Sequence, residues 1–307
     1  MPFFSVIVTV FNKEKLILDT LKTVCTQSFT DFEILIINDG STDNSLLEIS
    51  KTKDSRIKLF SISNSGVSHA RNYGVEKSTG RYCAFIDGDD LWENFHLLEM
   101  KKLIDTFSNH SVFSCASSIK KKERIENLFY TIDNTPQQTL DYFKASLNSS
   151  IIHPSSFVIK KEIYIKTKGF NTKYNNGEDA EYWFRLGLKY PIAFSKKSGV
   201  LIREVENSLS NQKYNPDNYC YFEEFDHIKS ENESFYKVLD NNLFSAALLC
   251  KENNFKKEYT TLKSRIDKRK NLTLKQKIIL NAPPFCIQTL RKVKSFLNEK
   301  GISFTIY

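Results

Sequence analysis

Tyr82-Cys83-Ala84-Phe85-Ile86-Asp87-Gly88-Asp89-Asp90 is the stretch from which the fold is read. Tyr82 to Ile86 is a short apolar run rich in aromatic and branched residues, the pattern of a buried parallel strand. It ends in three carboxylates within four positions, interrupted only by Gly88. Like charges this close repel, so folding alone gives no reason to gather them. A divalent cation would remove the repulsion, and hard cations choose carboxylate oxygens. The carboxyl ends of strands in an open α/β sheet are also where ligands sit. On this stretch alone, an Asp-rich turn capping a helix from Leu91 and Trp92 onward is an equal reading.

Working outward towards the N-terminus, Ser5 to Val10, Phe32 to Ile37 and Ile57 to Ile62 read as three more strands. Helical spacing lies between them: Ile17, Leu18, Leu21 and Cys25 within Lys13 to Gln27, a short helix capped by Asp43 or Asn44, and Val67 to Lys77. Such alternation predicts right-handed βαβ units and a parallel sheet covered on both faces. Each strand leaves polar residues at its carboxyl end: Asn12, Asp39, Asn64, then Asp87, Asp89 and Asp90. Four successive parallel strands bring those ends to one sheet edge.

Working outward in the other direction, Asn94 to Phe107 and Thr139 to Asn148 read as helices. Ser111 to Ser118 and Ser156 to Ile159 read as strands, and Lys120 to Glu126 as a solvated charged turn. Lys161 to Thr167 and Ala180 to Lys189 are helical, with Glu178 and Asp179 opening the latter. Ile192 to Ser195 and Val200 to Val205 close the strand pattern. After about Glu206 only helices are expected: Asn218 to Lys229, Glu233 to Lys251, Asn254 to Lys268, Thr273 to Asn281 and Phe285 to Glu299. The expected organisation is therefore a catalytic domain over 1–205 and a helical basic extension over 206–307.

The chain has 307 residues and is 40% hydrophobic, enough for an ordinary core, with 24 phenylalanines to fill it. Its six cysteines are scattered without a Cys-x-x-Cys pair, which argues against a zinc site or a disulfide framework and for a reducing cytosol. The run from Phe3 to Phe11 lacks a basic segment before it and reads as a strand, not a signal peptide. No stretch approaches the ~20 apolar residues of a membrane span. The net charge of +8 is uneven: residues 251–307 carry +10 and residues 1–250 carry −2. Cys286, Leu290, Val293 and Leu297 recur at helical spacing in that tail, with Phe296 beside them and Arg291, Lys292 and Lys294 mostly on other faces. An apolar stripe flanked by basic residues is the pattern of an interfacial helix, so residues 254–307 are expected either to rest on an anionic membrane or to pack on the catalytic domain.

Five motifs in order resemble a family 2 glycosyltransferase with the GT-A fold, over roughly residues 3–205. They are Ser5-Val-Ile-Val-Thr-Val-Phe-Asn12, Ile37-Asn-Asp-Gly-Ser-Thr-Asp43, Asn64-x-Gly66-Val67-Ser68-x-Ala70-Arg71-Asn72, Phe85-Ile-Asp-Gly-Asp-Asp90 and Gly177-Glu178-Asp179. The resemblance implies an α/β fold, a mostly parallel sheet sandwiched by helices. It implies that Phe11 stacks on the nucleotide base, with Thr9 beneath it and Asn12 beside it, that Asp39 accepts the base N–H, and that Arg71 contacts the nucleotide. Asp89 would touch the donor ribose and Asp90 bind the Mn²⁺ or Mg²⁺ that bridges the diphosphate. Asp179 would be the general base, with Glu178 and His153 on the acceptor side.

The activity so implied is metal-dependent, inverting transfer of a sugar from a nucleotide sugar, expected to be a UDP-sugar, to a hydroxyl of a saccharide. Family context suggests a lipid-linked (polyprenyl) acceptor and bacterial surface polysaccharide assembly. The Gln-x-x-Arg-Trp signature of processive members is absent, so one or a few sugars would be added. The expected setting is cytoplasmic, peripheral on the inner membrane face, without a nucleic-acid partner. Two rivals stand beside this reading. A nucleotidyltransferase would need a Gly/Lys-rich phosphate loop, and Phe11-Asn12-Lys13-Glu14 has no glycine. A non-catalytic nucleotide- or partner-binding domain is opposed by the intact Asp39, Asp90 and Asp179.

Overall fold

All seven residues of the first strand, β1 (Phe4–Val10), are buried, as are all eight of β2 (Phe32–Asp39). Only strands covered on both faces bury every side chain, so helices must lie above and below the sheet. The computed structural model describes residues 1–121, 124–204, 214–220, 222–229, 231–269 and 271–299. The chain divides into two compact units, Met1–Gln212 and Lys213–Tyr307. The domain boundary expected near residue 206 falls within 205–213, outside the described residues.

In the first unit the elements alternate: β1, α1 (Ile17–Cys25), β2, α2 (Ser45–Ser50), β3 (Ile57–Ile62), α3 (Val67–Lys77) and β4 (Tyr82–Asp87). β3, β2, β1 and β4 lie side by side in that order, all parallel. The register pairs Thr9 with both Ile37 and Asp87, so the carboxyl ends of three strands align. Beyond β4 the sheet continues through β9 (Val158–Lys160), β6 (Val112–Lys121), β10 (Ile192–Arg203) and β5 (Leu91–Trp92). β9 is antiparallel to both of its neighbours, and β6 and β10 are parallel. The sheet is thus mixed: β1–β4, β6 and β10 run one way, while β9 within it and β5 at its edge run the other, in keeping with the GT-A expectation.

The two faces are packed differently. Val6, Val8 and Val10 of β1 meet Ile17, Leu21 and Val24 of α1 in a cluster that also takes in Leu97, Met100 and Leu103 of α4 (His96–Thr106). On the other face α3 lies so close that a Cβ on Gly74 would come within 2.5 Å of Ile7. Further along that face Phe85, Phe157, Tyr164, Phe170, Tyr182 and Trp183 form one aromatic cluster, with centroids 4.6 to 6.1 Å apart in the contacting pairs. Tyr182 and Trp183 belong to α7 (Glu178–Gly187), and this cluster fixes the helix against the sheet.

Several local expectations change. Leu91–Trp92 is a two-residue strand, not a helix start. The helix expected over 139–148 is β8 (Gln137–Leu140) followed by the short α5 (Tyr142–Ala145). Part of the expected charged turn is β7 (Arg124–Asn127), paired with β6, and residues 122–123 lie outside the described residues. The two closing strands are one strand, β10, with a bulge between Ser195 and Val200. Between β8 and α7, Pro154–Ser156 forms a single tight turn before β9, and α6 (Lys161–Lys166) follows it.

The second unit is helical: α8 (Glu233–Glu252), α9 (Lys256–Arg269), α10 (Leu274–Asn281) and α11 (Pro284–Glu299). The helix expected over 218–229 is instead two short turns, Pro216–Asn218 and Glu223–Phe225. On α11 the fully buried residue is Ile287, whereas Cys286 and Leu290 of the expected stripe are half-buried and Val293 is exposed. The side chains of Arg291, Lys292, Lys294, Phe296 and Leu297 lie outside the described residues.

Candidate active site

Strand β4 ends at Asp87, and the chain then turns tightly, with Asp90 N–H donating to Asp87 C=O at 3.0 Å. Gly88 is required here. Its N–H donates to Thr9 C=O at 2.9 Å, and a Cβ would meet that oxygen at 2.9 Å. The turn sends its three carboxylates in different directions. Asp87 accepts Thr9 Oγ1 at 2.9 Å and both arms of a contact from Arg71, at 2.9 and 3.0 Å. Asp89 accepts Lys13 Nζ at 2.5 Å through Oδ2. Asp90 points inward: Ser155 Oγ donates to one oxygen at 2.5 Å and Arg203 N–H to the other at 3.0 Å.

These contacts bear on Asp90 as the expected metal ligand. Asp90 is 6% exposed and both its oxygens are taken. Burial, reinforced by Asp89 and Asp87, raises its pKa well above the usual carboxylate range. Both Asp90 oxygens meet protein donors, so a cation there would have to displace Ser155 Oγ or Arg203 N–H. Asp89 fits better. Its side chain is 15% exposed, and only Oδ2 is engaged among the described residues. No group of three His, Cys, Asp or Glu among the described residues forms a ready-made cage. A single carboxylate suits Mg²⁺ or Mn²⁺ only if phosphate oxygens complete the shell, and that is how such ions bind in nucleotide sites.

Arg71 also differs from expectation. It is 3% exposed, and its guanidinium bridges Asp87 to Glu178 Oε1, the latter at 3.2 Å. Phe170 covers one face of the guanidinium at 4.8 Å. Burial alone would disfavour its charge, but Asp87 and Glu178 hold the cation firmly. Arg71 is therefore an internal bridge between Asp87 and Glu178. Glu178 is likewise buried, so it supports the helix from within. Burial and the neighbouring Asp179 raise its pKa, and Arg71 opposes them.

Asn72 continues the same job. Its Oδ1 accepts Phe170 N–H at 3.0 Å and Tyr164 O–H at 2.6 Å, and its Nδ2 donates to Phe170 C=O at 2.8 Å. Consecutive residues of α3 thus hold both ends of the 170–178 segment. Asp179 follows in the first turn of α7, half-buried, its Oδ1 accepting Ala180 N–H at 2.6 Å. That turn is acidic, which the positive end of a helix favours. Burial lowers the His153 pKa, and the Asp179 charge works to raise it. The His153 Nε2 has no hydrogen-bond partner among the described residues.

The nucleotide-side residues gather at the neighbouring strand ends. Phe11 is half-buried and outside the core cluster. Thr9 is buried on Asp87. Asn12, at φ 51°, ties this end to the loop after β2: its N–H donates to Ser41 Oγ at 3.0 Å and its Oδ1 accepts Thr42 N–H at 2.8 Å. Asp39 is 4% exposed, and its oxygens accept Ser65 N–H at 2.8 Å and Gly66 N–H at 2.9 Å. It shapes the loop before α3; a base N–H would have to use its remaining lone pairs. Sequence reasoning missed Lys13, Asn72, Ser155 and Arg203. Asn72 sits within the Ala70-Arg71-Asn72 motif and was findable, whereas Ser155 and Arg203 reach the site only through the fold.

Residues 5–167 match the sequence model of glycosyl transferase family 2. The chain belongs to that family. The match covers the strands from β1 to β9, α3 and the Asp87-Gly-Asp-Asp90 turn, and stops short of Glu178, Asp179 and β10. An uncharacterized glycosyltransferase of Haemophilus influenzae is 38% identical over 224 residues, covering 70% of this chain and 84% of that protein. The Escherichia coli protein named UDP-Glc:alpha-D-GlcNAc-diphosphoundecaprenol beta-1,3-glucosyltransferase WfaP is 34% identical over 121 residues, covering 36% of this chain and 47% of its own. The match spans a fifth or less of the length of the Rickettsia relatives. Among solved structures, S. aureus TarS 1-349 in complex with UDP-GlcNAc superposes with a TM-score of 0.62 at 18% identity, over 81% of this chain and 70% of that one. At that identity TarS supports the fold alone, and it is the GT-A arrangement.

Proposed function

We propose that this family 2 domain transfers a sugar, with inversion, from a UDP-sugar to a saccharide hydroxyl, and that the acceptor is lipid-linked. The observation that carries the proposal is the Asp87–Arg71–Glu178 bridge, which ties the donor-side strand end to the helix that presents Asp179. The WfaP likeness favours a UDP donor and a diphosphoundecaprenol-linked acceptor.

The chemistry then divides by residue. Phe11 stacks on the base, and Lys13 offers an ammonium to the diphosphate beside Asp89. A divalent cation shared by Asp89 and the diphosphate oxygens would neutralise charge on the leaving group. The acceptor oxygen attacks the anomeric carbon, and the bond from that carbon to the diphosphate oxygen breaks with its electron pair. Asp179 takes the acceptor proton as the oxygen attacks. One displacement inverts the anomeric centre and needs no protein nucleophile.

The test is incubation with UDP-glucose, UDP-GlcNAc and UDP-galactose, each with Mn²⁺, Mg²⁺ or EDTA, and with a short-chain diphospholipid-linked GlcNAc as acceptor. Metal-dependent UDP release coupled to a new glycolipid is expected. Failure to bind any nucleotide sugar with either metal would overturn the assignment.

A further inference from the structure

The second unit leaves two apolar ridges uncovered. On α10, Leu274 is 75% exposed and Ile278, one turn later, 62%. Across the Pro283-Pro284 break, Phe285 is 66% exposed and Val293, about two turns on, 44%. The opposite sides of these helices already supply the unit's own packing through Ile279, Leu280 and Ile287, all buried. The exposed four therefore add nothing to the fold, and large apolar side chains displayed together mark an interaction surface.

Charge identifies the partner. Residues 251–307 carry a net +10, against −2 for the rest of the chain. Exposed Lys275 and Lys277 flank the Leu274–Ile278 ridge on its two sides. A protein partner with a matching groove would satisfy the apolar residues, and a soluble polyanion would satisfy the charge. A bilayer with anionic headgroups satisfies both at once. No described helix is long and apolar enough to cross a membrane, so the fit is to the surface. We infer that α10 and the start of α11 dock this protein on anionic lipid, with Leu274, Ile278 and Phe285 entering the headgroup boundary and the lysines meeting the headgroups. This surface differs from the stripe that the sequence suggested: Ile287 turns that side of α11 inward. The inference is independent of the transferase assignment.

The full chain is sedimented with phosphatidylglycerol-containing vesicles and with pure phosphatidylcholine vesicles at low and high salt. Binding to the anionic vesicles that weakens with salt is expected. The double variant Leu274→Asn/Ile278→Asn should bind about tenfold or more weakly, since each side chain contributes its own transfer from water. Its thermal midpoint should match the parent, because both residues are exposed. If that variant unfolds, Phe285→Gln tests the second ridge in the same way. A parent protein that stays in the supernatant at low salt overturns the inference. So does a folded double variant that binds as tightly as the parent, which would reduce the attraction to charge alone.

Discussion

Replacing Arg71 by methionine removes the only cation that touches both Asp87 and Glu178 among the described residues. Buried Glu178 and half-buried Asp87 then face each other's field without compensation, and breaking a buried ion pair from one side costs about 3–5 kcal/mol. Denaturant unfolding should report a loss of that order, and Arg71→Lys should recover only part of it, because one ammonium cannot span both acids. Asp179→Asn should behave oppositely: folding and UDP affinity are kept, and turnover with saturating acceptor falls about 10²–10⁴-fold. Asp89 and Asp90 separate just as cleanly. Asp89→Asn should abolish the metal-dependent part of UDP binding in a calorimetric titration while leaving the thermal midpoint in place. Asp90→Asn should move the midpoint and leave metal dependence. The sequence shows Asp-Asp and cannot say which of the two turns inward; the bonds from Ser155 Oγ and Arg203 N–H show that it is Asp90.

Strand β2 carries a pH-sensitive joint in Glu33. Ser5 Oγ, Thr79 N–H and Thr79 Oγ1 all donate to one oxygen, and Lys58 Nζ to the other at 2.9 Å. Burial works to raise the pKa, but the hydrogen bonds from Lys58, Ser5 and Thr79 win and hold it at about 2. A depressed carboxylate pKa stabilises the fold above the unfolded value of about 4.3 and loses that contribution as pH falls towards 2. The acid limb of the unfolding curve should therefore flatten below pH 4.5 in Glu33→Gln, as followed by circular dichroism. The four parallel strands and α3 were legible because continuous apolar runs and helical spacing are local signals. β8 was not, because Gln137-Gln-Thr-Leu140 becomes a strand only by pairing with Ile192–Ser195. β10 read as two strands because Lys196-Lys197-Ser198-Gly199 looks like a loop; it is a bulge, and Gly199 is there because a Cβ would press within 2.7 Å of His96.

At the scale of the molecule, the net charge of +8 is concentrated in residues 251–307, which carry +10 against −2 for residues 1–250. Salt should therefore act on vesicle binding far more than on UDP binding, where the contacts are close and partly enclosed. Measuring both between 50 mM and 500 mM NaCl checks the division: equal salt slopes would contradict it. Much of the site was readable as motifs, but the reason for the motifs was not. Arg71 looks like a ligand in a linear sequence, yet it and Asn72 have partners 107 and 98 positions away, on the segment that carries Asp179.

That clamping leaves the residues between its two holds in a distinctive position. Asn72 fixes Phe170 and Arg71 fixes Glu178, while Thr172, Lys173 and Asn175 stand in solvent. Lengthening a loop whose ends are pinned costs only closure entropy, which grows slowly with length. The segment 171–177 is thus an exchangeable cassette beside the proposed base. New acceptor preferences can be grafted there, by selection or by design, without disturbing the machinery that handles the donor.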